Sequence, residues 1–444
     1  MYRIGRHFHI TSFQIIIMGF LAIIITGSLL LMLPAAAVDG SATAPIDAVF
    51  TAVSAVCVTG LVVHDTGTYW SLFGQTVILV LIQIGGMGVI TIAVAAAAAS
   101  GKKISLMQRR IMQESISAPQ LGGIVRMTRF ILKTGLVLEL SGAVMLSLVF
   151  VRQYGGRKGI WYALFHAISA FCNAGFDLNG IREPFSSLTA YAGQPIVNLT
   201  VMFLIVAGGI GFLTWDDIWR NRYHFRKYRM QSKVIFTVTA VLIAVPALYF
   251  FFFELGDVPK EKRIWEALFQ AVTPRTAGFN TADLSKISDT GLMMTILLML
   301  IGGSPGSTAG GMKTTTAAVL IASVAAVFKK KSSANLFGRR IPDDAVRTAA
   351  ALFFTYVVLF IGGGMIISSM EGVPLLTCMF ETASAIGTVG LSLGLTPQLC
   401  SASKMILIVL MFFGRVGCLT LVFAAFAEKK NVNAKLPQER ITVG

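Results

Sequence analysis

A four-residue pattern that ends in glycine and an apolar residue occurs four times in this chain, each time directly after a short apolar segment. The glycines of successive copies are separated by 115, 103 and 112 residues. A phenylalanine lies ten residues before the glycine in three copies and nine before it in the third. The chain therefore uses one structural unit four times. The copies are Val58-Thr59-Gly60-Leu61, Asn173-Ala174-Gly175-Phe176, Thr276-Ala277-Gly278-Phe279 and Thr388-Val389-Gly390-Leu391.

The short segments before the tetrapeptides cover 46–57, 160–172, 264–275 and 375–387. Each is too short to cross a bilayer, which takes about 20 helical residues, yet long apolar runs flank each one. Irregular backbone at membrane depth is tolerated only where it is buried in protein or lines water. We therefore expect a short helix that enters the membrane, stops, and returns as extended chain through the tetrapeptide. The alternative is that the glycines only allow helices to pack closely.

Composition places the chain among multi-pass membrane proteins, since 55% of its 444 residues are hydrophobic and only 13% are charged. The fold class predicted is an all-α membrane protein, with four tandem helix–pore helix–helix repeats around a pseudo-fourfold central pore. The spanning helices are predicted at 13–33, 71–99, 126–150, 196–219, 232–254, 290–328, 346–370 and 403–426.

These helices divide the chain into four repeats and a tail. The predicted boundaries are 1–99, 100–219, 220–328 and 329–426, followed by a cytoplasmic tail at 427–444. No segment between helices is long enough to form a separate soluble domain.

The positive charge of the chain, +16 overall, is concentrated on one side of the predicted membrane. Loops on the side of the N-terminus hold 25 Lys and Arg against seven Asp and Glu, whereas the other side holds ten bases and thirteen acids. The positive-inside rule makes the basic side, with both termini, cytoplasmic. Topology accounts for the basic balance, so nucleic-acid binding is not indicated.

Four short helices around one axis would direct their C-termini, which carry partial negative charge, toward a common centre. The tetrapeptide carbonyls would then point inward, and a ring of carbonyls can replace the hydration shell of a monovalent cation. Glycine suits this position because it tolerates backbone conformations that other residues rarely adopt. The sixteen tetrapeptide residues are therefore the predicted ion-binding site.

The third repeat contains a break that the others lack. Five glycines and a proline interrupt what would otherwise be a single helix over 290–328. We predict an intramembrane loop just inside the level of the tetrapeptides, where it could act as a gate; a packing kink is the alternative. The predicted gate residues are Gly302, Gly303, Ser304, Pro305, Gly306, Ser307, Thr308, Ala309, Gly310, Gly311 and Lys313, together with Arg415.

Arg415 lies near the middle of the last apolar run, where an arginine costs a few kcal/mol even on lenient insertion scales. It should therefore face a polar interior, where it could raise the barrier to cations or bind the loop's carbonyls. A structural pair with Glu139 is the alternative. Lys313 could equally end at the cytoplasmic side of the broken helix and contribute little.

Enzyme chemistry is not indicated. The five histidines and five cysteines show neither metal-ligand spacing nor a nucleophile–base arrangement, and an odd number of cysteines does not suggest a disulfide framework. A coupled sodium or proton carrier remains open, with Glu139 as the one obvious proton-carrying candidate.

These features resemble the Trk/Ktr/HKT potassium transporters. The likeness rests on four filter glycines, a Gly/Ser-rich break in the third repeat and an Arg in the fourth, and Thr388-Val389-Gly390 is similar to the filter of potassium channels. The eight-crossing length is most similar to the KtrB membrane subunit of bacterial Ktr systems. Only the fourth copy keeps Thr-Val-Gly, and none repeats a second glycine.

The resemblance implies a potassium-translocating subunit in the cell membrane whose uptake is assisted by sodium. It implies a homodimer, each protomer with its own pore. It also implies a cytoplasmic ring of KtrA-like nucleotide-binding subunits, so that nucleotide acts only through this partner.

Overall fold

The computed structural model describes residues 11–89, 91–92, 105–116 and 122–417. The first ten residues, the predicted end of the first repeat at 93–99 and the predicted tail at 427–444 lie outside the described residues.

Helices account for most of the described chain. They are α1 (Ser12–Leu31), α2 (Pro45–Val56), α3 (Leu72–Met87), α4 (Leu106–Ile116), α5 (Ile124–Tyr154), α6 (Gly156–Phe171), α7 (Pro195–Gly209), α8 (Phe212–Asn221), α9 (Met230–Tyr249), α10 (Lys260–Val272), α11 (Asp289–Leu300), α12 (Thr314–Phe328), α13 (Asp343–Glu371), α14 (Leu375–Gly387) and α15 (Ser401–Val416). Short strands β1 (Asn335–Leu336) and β2 (Arg339–Arg340) form an antiparallel hairpin.

Twelve of these helices follow a common order in which a long helix is followed by a short helix, an extended stretch and a second helix. The sets are α1–α3, α5–α7, α9–α11 and α13–α15. The long helices α1, α5, α9 (extended by a π turn to Glu254) and α13 are apolar and long enough to cross a membrane. The prediction of several membrane-crossing helices is confirmed for these four.

The second helix of each set is shorter than predicted, at 16, 15, 12 and 16 residues. Glycines with φ of 88°, 91° and 89° follow α3, α7 and α15: Gly88, Gly211 and Gly417. Such backbone is rarely adopted by residues with a side chain. The chain consequently turns by 98° between α7 and α8, so the predicted unbroken helix over 196–219 is wrong. The predicted helix over 71–99 is likewise interrupted at Gly88.

Proline starts or precedes three of the four short helices. Pro45 is the first residue of α2, and Pro259 and Pro374 directly precede α10 and α14. Proline suits a helix start because the first helical N–H groups have no intrahelical partner. The predicted short segments are confirmed as helices, with starts up to four residues earlier than expected.

Burial separates the long helices from the short ones. Only 28–33% of the apolar windows of α1, α5, α9 and α13 are buried, as expected for helices that face lipid. The four phenylalanines that precede the glycines are instead fully buried: Phe50, Phe165, Phe269 and Phe380. The short helices therefore form the centre of the molecule and hold the tetrapeptides there.

Candidate functional site

The four glycine tetrapeptides lie against one another in a closed ring. A methyl group added to Gly60 would collide with the carbonyl oxygen of Ala174, and one added to Gly175 would press on that of Ala277. The same relation joins Gly278 to Val389, and Gly390 to Thr59, which returns to the first set. Each glycine therefore allows its own chain to approach the carbonyl of the next set, and no larger residue would leave room.

The backbone within the four tetrapeptides is unusual at two positions. The glycines have φ between 69° and 93°. The first residue of each tetrapeptide, Val58, Asn173, Thr276 or Thr388, also has positive φ, between 50° and 61°. All of these except Asn173 are β-branched. Positive φ in a β-branched residue is an outlier that persists only when the surroundings impose it. The sequence predicted the glycine conformation but not the strain at the first position.

A hydroxyl side chain near the end of each short helix holds the tetrapeptide in this shape. Ser54 and Ser169 donate to the carbonyls of Leu61 and Phe176, each at 2.7 Å. Thr273 donates to the carbonyl of Phe279 at 2.5 Å, and Ser384 accepts from the backbone of Gly390 at 3.0 Å. Sequence reasoning missed these four residues. Their signal was a Ser or Thr six residues before the glycine, or five in the shorter third copy.

A cavity of about 300 Å³ opens on one side of the ring, and we call it the vestibule. All four ring glycines reach it. Acidic and polar side chains surround them, among them Asp65, Asp177, Asn280 and Ser392.

A second cavity, of about 200 Å³, lies on the other side of the loop and is called the inner cavity. It is lined by loop residues such as Gly306 and Ala309, by Lys313 and by Arg415.

The predicted loop between Leu300 and Thr314 is present, and it packs directly against the ring. A methyl group on Gly310 would collide with the side chain of Thr388, the first residue of the fourth tetrapeptide. The Thr308 hydroxyl donates to the carbonyl of Phe171 and to the Asn173 side chain, both at 3.0 Å. The loop thus lies between the ring and the inner cavity, against the first residues of two tetrapeptides.

Backbone hydrogen bonds from two other sets hold the loop in place. Ser304 donates to the carbonyl of Gly209 at 2.9 Å, and Thr308 to that of Gly208 at 3.2 Å. Gly311 donates to Gly414 at 3.1 Å. The backbone at the glycine-containing ends of α7 and α15 therefore lies in direct contact with this loop.

Arg415 binds backbone carbonyls. Its guanidinium donates to the carbonyls of Thr308 and Gly85, and to that of Gly86 at 3.2 Å. It thereby connects the loop with the end of α3. Glu139 accepts instead from Gln83 at 2.9 and 3.2 Å.

Lys313 also belongs to the loop, because its ammonium donates to the carbonyls of Ala309 at 2.9 Å and Gly310 at 3.3 Å.

Arg275 is a further cation that sequence reasoning did not single out. It directly precedes the third tetrapeptide and is only 4% exposed. Its Nε and Nη1 atoms have no hydrogen-bond partner among the described residues. The third set therefore places a buried guanidinium close behind the ring, with two of its nitrogens unbonded among the described residues.

Known proteins resemble this chain over almost its whole length. It matches the TrkH family of cation transport proteins over residues 7–435. It is 42% identical over 440 residues to Ktr system potassium uptake protein B of Bacillus subtilis (strain 168), covering 97% of this chain and 96% of that protein. It is 41% identical over 442 residues to potassium/sodium uptake protein NtpJ of Enterococcus hirae, covering 97% of each.

A solved structure supports the fold. The potassium transporter TrkH from Vibrio parahaemolyticus superposes with a TM-score of 0.73 at 21% sequence identity, covering 94% of this chain and 85% of that one. Together with the near-complete match to the family, these comparisons show that the chain belongs to the TrkH family of cation transport proteins.

Proposed function

We propose that this protein is the potassium-translocating pore subunit of a bacterial potassium uptake system, an ion transporter rather than an enzyme, built as four repeats around a pseudo-fourfold pore. The observation that carries the proposal is the closed ring of four glycine tetrapeptides between the vestibule and the loop. Potassium as the cargo is supported by relatives that are named potassium uptake proteins and match 97% of the chain.

The ring acts as the selectivity filter. The short helices α2, α6, α10 and α14 all end within a few residues of it, so their partially negative C-termini face the site where a cation would lose its water. Carbonyl oxygens of the sixteen tetrapeptide residues then take the place of that water. Positive φ angles, strained at the first position and tolerated at the glycine, turn successive carbonyls in the direction that this role requires.

The loop from Gly302 to Gly311 acts as the gate. Its contacts with Asn173 and Thr388 obstruct the path below the filter, and Lys313 and Arg415 add positive charge at the same level. For the gate to open, the loop must break its hydrogen bonds with α7 and α15 and those with Arg415. Each such bond contributes on the order of 1 kcal/mol, more for those to the charged guanidinium, so the closed state is stable without being locked.

Regulation comes from the cytoplasmic side, where the basic loops and both termini lie by the positive-inside rule. We assign to this protein a homodimeric assembly on a KtrA-like ring of nucleotide-binding subunits. The ring supplies the free energy that moves the gate, and sodium stimulates uptake. Support for the sodium effect comes from the similarity to a protein named for potassium and sodium uptake.

A sodium- or proton-coupled carrier is the second candidate. The observation in its favour is Glu139, an acid in the membrane-crossing helix α5 that is 3% exposed. The Cys172 thiol, one residue before the second tetrapeptide, lies 3.9 Å from its carboxylate. A change in the protonation of Glu139 would thus change the charge next to the ring.

The test is rubidium and potassium flux into proteoliposomes that contain the purified protein, with sodium and pH varied separately. A pore predicts flux down the rubidium gradient that persists without sodium and rises when sodium is added. A carrier predicts that flux stops when the coupling ion is absent. Complete loss of flux without sodium or without a proton gradient would therefore favour the carrier, and no potassium flux under any condition would refute the proposal.

A further inference from the structure

We infer that Asp177 provides a binding site for a hydrated monovalent cation in the vestibule, one step before the filter. This inference rests on the proposed function and adds to it a residue that loads the pore. It depends on the charge of the vestibule, on its size, and on a difference between its two aspartates.

The vestibule is an acidic compartment of suitable volume. Two acidic side chains, Asp65 and Asp177, line it, and among the described residues no Lys or Arg does so. Burial raises the pKa of Asp177 to about 7, so this carboxylate carries its full charge only above neutral pH. Its volume of about 300 Å³ corresponds to roughly ten water molecules at about 30 Å³ each. A monovalent cation with its first hydration shell therefore fits above the ring glycines without losing water.

Asp65 is committed to the protein. Its Oδ1 accepts hydrogen bonds from the backbone of Gly67 at 3.0 Å and from both the backbone and the hydroxyl of Thr68 at 2.9 Å. Its Oδ2 accepts from the backbone of Phe185 at 2.9 Å, which joins the loops of the first and second sets. Four donors occupy this carboxylate, so Asp65 has a structural role.

Asp177 is largely uncommitted. Its Oδ1 accepts one hydrogen bond, from the backbone of Asn179 at 2.9 Å. Its Oδ2 has no hydrogen-bond or ion-pair partner among the described residues, and the side chain lines the vestibule directly after the second tetrapeptide. A carboxylate in a partly enclosed cavity with a free oxygen is a favourable site for a cation, because the cavity strengthens the attraction relative to open water.

The other sets have no equivalent of this charge. Two residues after the glycine, the first, third and fourth sets carry Val62, Asn280 and Ser392. Asn280 accepts from the backbone of Ala282 at 3.1 Å, and Ser392 donates to Glu381 at 2.6 Å. The site is therefore off the pore axis, on the side of the second set. A cation held there is close to the filter but keeps its water, so it can move on readily.

The test compares three Asp→Asn variants in rubidium flux at low ionic strength. In Asp177→Asn the hydrogen bond from Asn179 can be kept while the charge is lost. We expect the rubidium concentration for half-maximal flux to rise about fivefold to tenfold, as for other charged clefts, with a much smaller change in maximal rate. Choline chloride should reduce wild-type flux at limiting rubidium and affect the variant less, since salt screens the attraction.

Asp39→Asn is the matched control. Asp39 lies outside the vestibule and, within the described part of the chain, bonds only to Ser41, so the same loss of charge should leave the half-maximal concentration unchanged. Asp65→Asn should instead lower the thermal stability of the protein. An unchanged half-maximal concentration in Asp177→Asn, or an equal rise in Asp39→Asn, would overturn the inference.

A second readout separates this inference from the proposed function. Rubidium-dependent thermal stabilisation of the purified protein reports cation binding without flux. In one outcome the wild type shows no rubidium flux while Asp177→Asn, unlike the control variants, raises the rubidium concentration needed for stabilisation. That outcome would support the vestibule site and refute the pore. If the wild type shows rubidium flux and Asp177→Asn changes neither the flux nor the stabilisation by rubidium, the pore is supported and the vestibule site is refuted.

Discussion

The ring and the loop lie next to each other but are built in opposite ways. The ring is made of four equivalent parts, each held by a hydroxyl group of its own short helix, as Ser54 and Ser169 illustrate. The loop occurs once, in the third set, and is held by elements of other sets, including Arg415, which lies 107 residues from its partner Thr308. The comparison teaches that the ring, which is rigid in the proposed mechanism, carries its own local support, whereas the loop, which is the proposed moving part, depends on contacts that other sets supply.

The largest effect should come from the ring. In Gly390→Ala the new methyl group meets the carbonyl of Thr59, and φ of 93° is unfavourable for alanine. Both effects displace the carbonyls to which the proposal assigns ion binding. We expect rubidium flux to fall at least tenfold, the equivalent of about 1.4 kcal/mol in the barrier.

Gly362→Ala is the control for this change, since an added methyl group at Gly362 in α13 would meet no atom of the described residues within 4 Å. It should leave flux unchanged. Wild-type flux in a well-folded Gly390→Ala protein would contradict the role of the ring.

The next effect concerns the junction at which the ring closes between the last and first sets. Lys404 at the start of α15 forms an ion pair of 2.8 Å with Asp47 in α2, and both side chains are at most 13% exposed. Removing one partner of a buried pair is destabilising, and Asp47 would then keep only His64, at 3.2 Å, as a partner among the described residues. Lys404→Met should therefore lower the free energy of unfolding by about 3 kcal/mol, measured by thermal or chemical unfolding in detergent.

The exposed pair between Lys286 and Asp283 is the comparison, with side-chain exposures of 82% and 52%. Lys286→Met should cost less than about 1 kcal/mol. Equal losses of unfolding free energy in the two variants would show that the pair between Lys404 and Asp47 stabilises the protein no more than an exposed pair does.

A smaller effect is expected at the loop, and of opposite sign in flux. Arg415→Gln removes charge-assisted hydrogen bonds to the carbonyls of Thr308 and Gly85. Such bonds are worth about 1.5–3 kcal/mol, so the closed state loses stability and basal flux should rise about tenfold or more without a regulatory partner.

Arg340→Gln serves as the control, because Arg340 is 65% exposed and pairs with Asp343 away from the loop. Unchanged or lower flux in an Arg415→Gln protein that expresses normally would remove the gate from the proposal.

The smallest effect should follow loss of a single neutral contact between loop and ring. Thr308→Val keeps the shape of the side chain but removes the hydrogen bonds to Phe171 and Asn173. A neutral hydrogen bond is worth about 1 kcal/mol, so basal flux should rise about fivefold. Thr355→Val, whose hydroxyl bonds only within its own helix, is the control.

The double variant Arg415→Gln/Thr308→Val sharpens this comparison. Both side chains hold the same segment, so their effects on basal flux should be less than multiplicative. Independent effects would mean that the loop is not a single moving unit.

Much of the structure could be predicted from the sequence because one structural unit occurs four times. The four short helices, the four tetrapeptides and the break after Leu300 were all predicted within a few residues. These features are local: a glycine in a fixed frame, an apolar segment of limited length, or a cluster of Gly and Pro determines backbone shape without reference to the rest of the chain. The hydroxyl groups of Ser54, Ser169, Thr273 and Ser384 follow the same period and were readable in principle.

Only the tertiary structure decided which partners the distant side chains would take. It paired Arg415 with backbone carbonyls and Glu139 with Gln83, and it turned the chain by 98° after α7. It also left Asp177 with a free carboxylate oxygen while four donors occupied Asp65. The physical reason is that a sequence pattern specifies local backbone conformation, whereas the environment of a polar side chain depends on which helices pack beside it.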